Sequence, residues 1–566
     1  MLPPPWRVLR NVLALIVCLA SAVTPRQAAA VVPNITGVSI ANPYTPANTM
    51  MYAVTVTVAG AYDDADHDAK VGFRTGDGST CETDTGWKWS HMERFATTTT
   101  KTFILYNFQP GQQYQYIVMV GPPGSAKFEC DTLGTPPSLP ANLGYLDLDF
   151  DGSGGFSTDY VLFDTCDCGA NGGGGARDYL IVVDTATQAI VWYLDVAAVA
   201  ASGGNTLSGW RWQPGANPPH SARILATVDR RYLYEWDMGG AVRDSKDYGT
   251  ACTQAAGSDG PCVSHDAFRS PETGVVYAVS SQVSTTGVAG TGWNGLAGCA
   301  TSRFVSDGYE QFSGAFSSLT SDYYTMSDWS YDPTVDGGPN APSAGQCNSN
   351  YWAAYFDGAY PPIDWTHVNS VTTTKPAGTE LIDLSFYQWN QVIQVNGSTG
   401  AINWKLSGDS SYSTLTLAMA GGISGATDFA GQHAVYQTPT YLQMFDNLGE
   451  SSGSRVLRMS LTGGPPITTA TITNSWALVD AGLTPLVCPG QGAGITVPGT
   501  SGANVLAMCA DEWTVEELSD SDGTTSAEPP FILELASDPC TTYGPATRDG
   551  IYGWYRAFPL ENIGEF

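Results

Sequence analysis

Six histidines occur in 566 residues: His67, His91, His220, His265, His367 and His433. Imidazole is the side chain whose ordinary pKa lets it serve as nucleophile, acid or base near neutral pH. Three of the six sit in comparable surroundings. His265 lies in Cys262-Val-Ser-His-Asp-Ala-Phe268, His367 in Asp364-Trp-Thr-His-Val-Asn-Ser-Val371, and His433 in Gly431-Gln-His-Ala-Val435. Each precedes a run that reads as a strand. One histidine alone is more often a hydrogen-bonded structural residue. Three in matched settings point to a shared site for nucleophilic and proton-transfer chemistry.

Other reactive patterns are poorer. Cys166-Asp-Cys168 lacks the second nearby cysteine pair of a zinc site. Asp147-Leu-Asp-Phe-Asp-Gly152 opens like a calcium loop, but its twelfth position is Thr158, so a solvated acidic turn is expected. Gly172 to Gly175 has no Lys-Ser/Thr to make a phosphate cradle. Ser327-Asp-Trp-Ser-Tyr-Asp332 and Tyr351-Trp-Ala-Ala-Tyr-Phe356 could stack on a phenol or simply fill a core. Neither a metal nor a cofactor is expected.

Bringing three distant histidines together requires a scaffold, and the composition indicates its type. Charged residues make up 14% of the chain and hydrophobic ones 43%, with 63 Gly and 35 Pro. The amphipathic Ala, Leu, Glu and Lys runs of long helices are nearly absent. Short alternating runs of Val, Thr and Tyr between turn residues predict an all-β protein. The length exceeds one core, so two or more domains are expected. A formal net charge of −30 argues against nucleic-acid and anionic-membrane partners. An aromatic content of 11% argues against a disordered acidic tail.

Residues 31–140 read as a β-sandwich of fibronectin III or Ig-like type. Val54, Val56 and Val58 share one face of a strand, and Tyr114, Tyr116 and Val118 alternate likewise. Tyr106-Asn-Phe-Gln-Pro-Gly-Gln-Gln-Tyr114 resembles the turn before a late strand of fibronectin III domains. Residues 141–566 hold an internal echo: the segments 178–192 and 392–404 are each an apolar strand, a polar turn and a second strand ending in Trp192 or Trp404. Such hairpins suit the blades of a β-propeller, and blades of roughly 40 to 50 residues would give about six to eight. The histidine separations exceed one blade, so each belongs to a different one.

Residues 1–30 read as a signal peptide: Arg7 and Arg10, an apolar run from Val12, then small residues at Ala20-Ser-Ala22 and Ala28-Ala-Ala30. The run is too short for a comfortable membrane span. The mature protein is therefore expected outside the cytoplasm, secreted or periplasmic, with no membrane association after cleavage. Twelve cysteines agree with this. Pairings that would close short loops are Cys81–Cys130, Cys252–Cys262, Cys299–Cys347 and Cys488–Cys509, while the spacing itself fixes no connectivity. Loss of Cys18 with the signal leaves an odd number, which permits a cross-linked homodimer. Asn34-Ile-Thr and Asn396-Gly-Ser are glycosylation sequons.

The run Asp364-Trp-x-His367-x-Asn369-Ser-Val, then Val392-Ile-x-Val-x-x-x-Thr-Gly-x-Ile-x-Trp-x-Leu-x-Gly408, then Gly-Gln-His433 and Phe445-Asp-Asn447, resembles the arylsulfotransferases that use no nucleotide sulfate donor. The resemblance is dense from about 364 to 460, thinner from 178 to 270 and weak after 460. It implies an N-terminal sandwich, a six-bladed propeller with the site in its channel, and ping-pong sulfuryl transfer from an aryl sulfate to an acceptor phenol. It implies His433 as the sulfated nucleophile. His367 would bind sulfuryl oxygens or protonate the leaving phenolate, Asn369 would hold the loop, and His265 would act on the acceptor side or add a further oxygen contact.

One position departs from the family. Where its members carry an arginine, in the strand after the His-x-Asn motif, this chain reads Leu384-Ser-Phe-Tyr-Gln-Trp-Asn-Gln-Val392, with Tyr387 at the arginine's place and Gln388 next to it. Either could donate to a sulfuryl oxygen, without the gain of a charge. Lys405 and Arg269 are cations that would compensate. The missing arginine favours a rival reading, a non-catalytic propeller that binds a glycan or protein. A quinone-dependent dehydrogenase propeller fits less well, since no redox cofactor ligand set stands out.

Overall fold

The computed structural model describes residues 34–60, 68–77, 86–121, 126–143, 148–151, 156–167, 177–200, 206–213, 222–249, 261–284, 304–329, 366–423, 427–447, 453–488, 492–500, 504–510, 514–519, 531–535 and 556–560, less a few positions inside or next to these spans. The signal-peptide reading, His67, His91, His220, the Gly172–Gly175 loop and the Tyr351–Phe356 run lie outside them. The described chain is all-β, with one single-turn helix at Val196–Val199 and a short 3-10 turn at Ser410–Tyr412. Among the described residues no helix is long and apolar enough to cross a membrane.

Two compact units are present. The first comprises Met1–Ala41, Tyr52–Leu105 and Gln113–Thr135. It contains a three-stranded sheet of Ile35–Ala41, Tyr52–Val58 and Thr100–Leu105, and a second antiparallel sheet centred on Asp68–Thr75 and Tyr114–Val120. Val54, Val56 and Val58 are buried, as their alternation requires.

The second unit comprises Asn42–Met51, Tyr106–Gln112 and Pro136–Phe566. Among the described residues it holds six sheets of four or five strands, antiparallel except where Thr416–Met419 joins the fifth alongside Thr469–Ala477. The two hairpins read from the sequence are Arg177–Asp184 with Ala189–Asp195 and Gln391–Asn396 with Ile402–Ser407, the last two strands of the first and fourth sheets. Leu148–Asp151, where an acidic turn was expected, is instead a strand. It pairs with Phe531–Leu535, so main-chain bonds to that late strand hold it extended. Ala557–Leu560 in turn pairs with Tyr160–Asp167. The two ends of this unit are thus tied together twice.

Apolar side chains fill the spaces between successive sheets. Leu225, Val263 and Val276 lie between the second and third sheets. Tyr277, Val371, Ile382 and Leu384 lie between the third and fourth. Val392, Trp404, Leu442 and Met444 follow, and then Phe445, Val456, Val505 and Ala507. Edge strands also lie against one another in order: Leu207–Gln213, Cys262–Arg269, Val368–Thr374, His433–Gln437, Gly492–Thr496 and Ala557–Leu560.

Candidate active site

Each of the three histidines lies in, or directly before, one of these edge strands, where the pairing is broken. In Cys262–Arg269 the register jumps between Val263 and Ala267, around His265. In Val368–Thr374 it jumps between Val368 and Ser370, next to His367. In His433–Gln437 it jumps between His433 and Tyr436. Bulges of this kind re-aim side chains and collect beside active sites. The backbone is left-handed at His265 (φ 53°), His367 (φ 49°) and Ala434 (φ 49°). Such a conformation costs a non-glycine residue of order 1–3 kcal/mol and persists only where the surroundings enforce it. His265 lies inside the bulged strand Cys262–Arg269, ahead of the strand Val276–Ser284, and bulging lets such a residue leave the pleat.

The bulges bring the rings together. The His265 and His367 ring centroids are 4.7 Å apart. Tyr387 lies 5.3 Å from His367 and 5.2 Å from His433, bridging them. Tyr387 is not inside a strand, contrary to the expectation from sequence. The strand Leu381–Phe386 ends before it, and Tyr387 opens the turn to Gln391–Asn396, its N–H donating to the His367 carbonyl at 3.0 Å. Gln388 shares that turn and is partly exposed. Asn369 is fully buried, and its Nδ2 donates to the Gln432 carbonyl at 2.7 Å, tying the strand after His367 to the residue before His433.

His433 is held by two acceptors. Its Nδ1 lies 2.9 Å from the Gly431 carbonyl and 2.8 Å from Asn447 Oδ1. The Asn447 amide is itself oriented, because its Nδ2 donates to the Cys488 carbonyl at 2.7 Å. Neither oxygen facing Nδ1 can donate, so Nδ1 carries the proton and Nε2 the lone pair. Burial pushes the His433 pKa down to about 4; the bonds to Asn447 and Gly431 oppose this, while His367 and Arg556 add to it. His265 is held well below the ordinary histidine range, by burial first and then by the charges of His367, Arg230, His433 and Arg556. At neutral pH His433 is therefore a neutral imidazole with its nucleophilic nitrogen defined.

The cations considered as compensators lie elsewhere. Arg269 is committed to Glu235, with Nη2 at 2.7 Å and Nε at 3.0 Å from Oε1. Lys405 sits in the last strand of its sheet, Ile402–Ser407, three strands from Val368–Thr374. Trp329, of the Ser327–Asp332 run, donates Nε1 to the Gly400 carbonyl at 2.8 Å and packs on the core between the third and fourth sheets. The bond expected between Cys488 and Cys509 is present. Cys130 and Cys262 are also disulfide-bonded; their expected partners, Cys81 and Cys252, lie outside the described residues.

Three features were not found from the sequence. Asn447 stood in the motif run without a role. Asp266, next to His265, accepts from Arg211 Nε at 2.9 Å and Nη2 at 2.6 Å and from Arg556 Nη1 at 2.6 Å. At Gly209 an added Cβ would lie 1.5 Å from the His265 carbonyl oxygen, so the neighbouring strand approaches closely there. The motif run already held the first, the His-Asp dipeptide at 265–266 was the available signal for the second, and the third leaves no pattern.

Solved structures similar to the chain include a dihydro-heme d1 dehydrogenase (10% identity, 88% of this chain and 77% of that one, TM-score 0.30). Others are a hypothetical selenium-binding protein from Sulfolobus tokodaii (8%, 68% and 76%, TM-score 0.33) and a Hadza microbial sialidase (11%, 89% and 90%, TM-score 0.28). No curated protein matches the chain. The family model described as arylsulfotransferase (ASST) matches residues 322–458, the segment that holds His367, Asn369, Tyr387, His433 and Asn447. Residues 322–458 thus belong to the arylsulfotransferase family, in agreement with the motif run read from the sequence.

Proposed function

We propose that this protein transfers a sulfuryl group from an aryl sulfate to a phenolic acceptor through a sulfated His433. The observation that carries this reading is the pair of acceptors on His433 Nδ1, which leaves Nε2 as the basic nitrogen. In the first half-reaction the Nε2 lone pair attacks sulfur. The bond from sulfur to the aryl oxygen breaks, and the departing phenolate takes a proton from His367. The sulfated ring keeps its Nδ1 proton and so becomes cationic, and the Gly431 and Asn447 oxygens stabilise that charge. In the second half-reaction the acceptor oxygen attacks sulfur, the S–N bond breaks, and His265 takes the acceptor's proton and passes it to His367, whose ring centroid is 4.7 Å away, which restores the acid. The depressed basicity of His265 at rest keeps it neutral and able to do so.

The scaffold proposed with this chemistry is a six-bladed propeller after a β-sandwich, with the histidines facing a central channel. The order of contact among the six edge strands, the apolar layers between successive sheets and the double tie between early and late strands of the second unit support it. The Trp210 and Phe558 rings, 5.0 Å apart, link the last edge strand to the first. A periplasmic or extracellular location accords with the family and with the disulfide.

The test uses p-nitrophenyl sulfate with phenol as acceptor. Wild type should release p-nitrophenol and, without acceptor, gain one acid-labile sulfuryl adduct on His433 by intact-mass and peptide mapping. His433→Ala and His433→Asn should lose both. An active preparation with no histidine adduct would remove the covalent mechanism, and an adduct on His265 or His367 would reassign the nucleophile.

A further inference from the structure

Tyr387 leaves this site without the cation that the family carries at the aligned position. We infer that Arg556, near the opposite end of the chain, supplies a positive charge to the three-histidine site and holds the oxygens of the transferred group. The identity of the anion rests on the sulfuryl-transfer reading; the position of the charge does not.

Arg556 immediately precedes Ala557–Leu560, one of the same series of edge strands that carries the histidines. Its Nη1 donates to Asp266 Oδ1 at 2.6 Å and to the Trp210 carbonyl at 3.1 Å. Asp266 directly follows His265, and its Oδ2 receives Arg211 Nη2 at 2.6 Å and the Val371 N–H at 2.9 Å. Arg211 also donates to the Val371 carbonyl at 2.8 Å. One carboxylate, adjacent in sequence to a site histidine, thus gathers residues from four sheets. Asp164 accepts the main-chain N–H of Arg556 at 3.2 Å.

Arg211, Asp266 and Arg556 are all buried. Arginine is almost never buried this fully without a partner or a task, and here two guanidinium groups share one carboxylate. Burial pushes the Asp266 pKa up, but Arg211 and Arg556 outweigh it and keep it ionised. The charge of Arg556 is felt at both His265 and His433, which places it within electrostatic reach of the reacting nitrogen. In a site shielded from water, such a fixed charge stabilises negative oxygens far more than it would in solution. Its position so late in the chain, beyond residues 322–458, explains why no local motif reveals it.

The experiment titrates inorganic sulfate into full-length wild type, Arg556→Met and Arg556→Lys by calorimetry, and measures transfer from p-nitrophenyl sulfate to phenol alongside. Arg556→Met should weaken sulfate binding and lower kcat/KM by roughly 10- to 100-fold, the span of a lost charge-assisted contact. Arg556→Lys should recover part of both. Thermal melts check folding. Should Arg556→Met not fold, Arg556→Gln removes the charge while its amide can still donate to Asp266 or the Trp210 carbonyl. Equal sulfate affinity and equal kcat/KM in wild type and the neutral variant, or no sulfate binding by wild type, would overturn the inference. A wild type that binds sulfate through Arg556 yet forms no histidine adduct would defeat the sulfuryl-transfer reading and leave the inference standing.

Discussion

The Nδ1 of His433 lies 2.8 Å from Oδ1 of Asn447, and that asparagine is locked by its own donation to the Cys488 carbonyl. The orientation continues outward. Ser454 Oγ donates to the Asn447 carbonyl at 2.7 Å and accepts the Cys488 N–H at 2.8 Å, while Cys488 is bonded to Cys509. The His433 tautomer is therefore set by a chain of bonds that ends in a covalent cross-link.

Asn447→Asp replaces a neutral acceptor with a carboxylate, which favours imidazolium. The His433 pKa should rise from about 4 toward the ordinary histidine value of about 6.5. Wild-type kcat/KM should then lose activity to His433 protonation only below about pH 4, and the variant should lose it at distinctly higher pH. Asn447→Leu, which removes the lock, should lower kcat about 10- to 100-fold with KM little changed. Identical acid limbs in the pH–rate profiles of wild type and Asn447→Asp would dissociate His433 from that limb.

Tyr387 bridges two site histidines through its ring and holds His367 through its main chain. Tyr387→Phe keeps the ring and loses only the hydroxyl donor. It should cost about 1 kcal/mol of transition-state binding, near fivefold in kcat/KM. Tyr387→Ala, which also removes both ring contacts, should cost more. Equal turnover by all three proteins would show that the bridge has no part in the reaction.

The scaffold is legible in the sequence where repetition writes it. The hairpins ending in Trp192 and Trp404 are strands because apolar runs alternate with turn residues. The motif run locates His367, Asn369 and His433 because those residues fall within one contiguous stretch. What stays hidden depends on contacts between distant segments. Tyr387 reads as a strand residue because Leu384-Ser-Phe-Tyr-Gln-Trp-Asn-Gln interleaves apolar and polar residues, with no Gly or Pro to mark the turn that follows Phe386. Asn390 takes the left-handed backbone (φ 49°) that closes it. His265 lies inside a bulge, which the alternation of its neighbours does not announce. Gly209 is indistinguishable in sequence from the chain's many turn glycines.

Gly209→Ala tests the close approach of the first strand to His265. The added methyl would meet the carbonyl carbon and oxygen of His265, both main-chain atoms that cannot rotate away. Overpacking of this kind costs roughly 1–3 kcal/mol, and the relief must displace the bulge that aims His265. A fall in Tm should accompany a fall in kcat/KM larger than the loss of folded protein explains. Gly421→Ala, whose methyl meets nothing within 4 Å, should be near neutral in both. Matched behaviour of the two variants would mean that the strand at Gly209 yields freely.

Asp383 carries the last prediction, on stability against pH. It is fully buried between the fourth and fifth sheets, and burial raises its pKa to about 8 against a weaker opposing bond from Gln394. Gln394 Nε2 donates to Asp383 Oδ1 at 3.0 Å and to Gln437 Oε1 at 3.1 Å. Gln437 Oε1 also lies 2.8 Å from the Asp383 carboxyl, an acceptor facing an acceptor unless the acid keeps its proton. A neutral Asp383 donates there and satisfies the network. The sign follows from the raised folded value. The contribution is fully present below the unfolded pKa of 3.8, is lost as pH rises, and is gone above about 8. An asparagine in its place cannot ionise, yet it can donate to Gln437 and accept from Gln394 as the neutral acid does. Asp383→Asn should therefore match wild type near pH 4 and become more stable by a few kcal/mol, in order of magnitude, by pH 8. His433 loses stability in the opposite window, as pH falls from its ordinary value toward about 4, but both proteins carry it and the difference cancels. Melting curves of the pair across this range check the prediction. A constant gap in Tm would show that Asp383 is ionised in the folded chain and that Gln437 turns its amide nitrogen toward it.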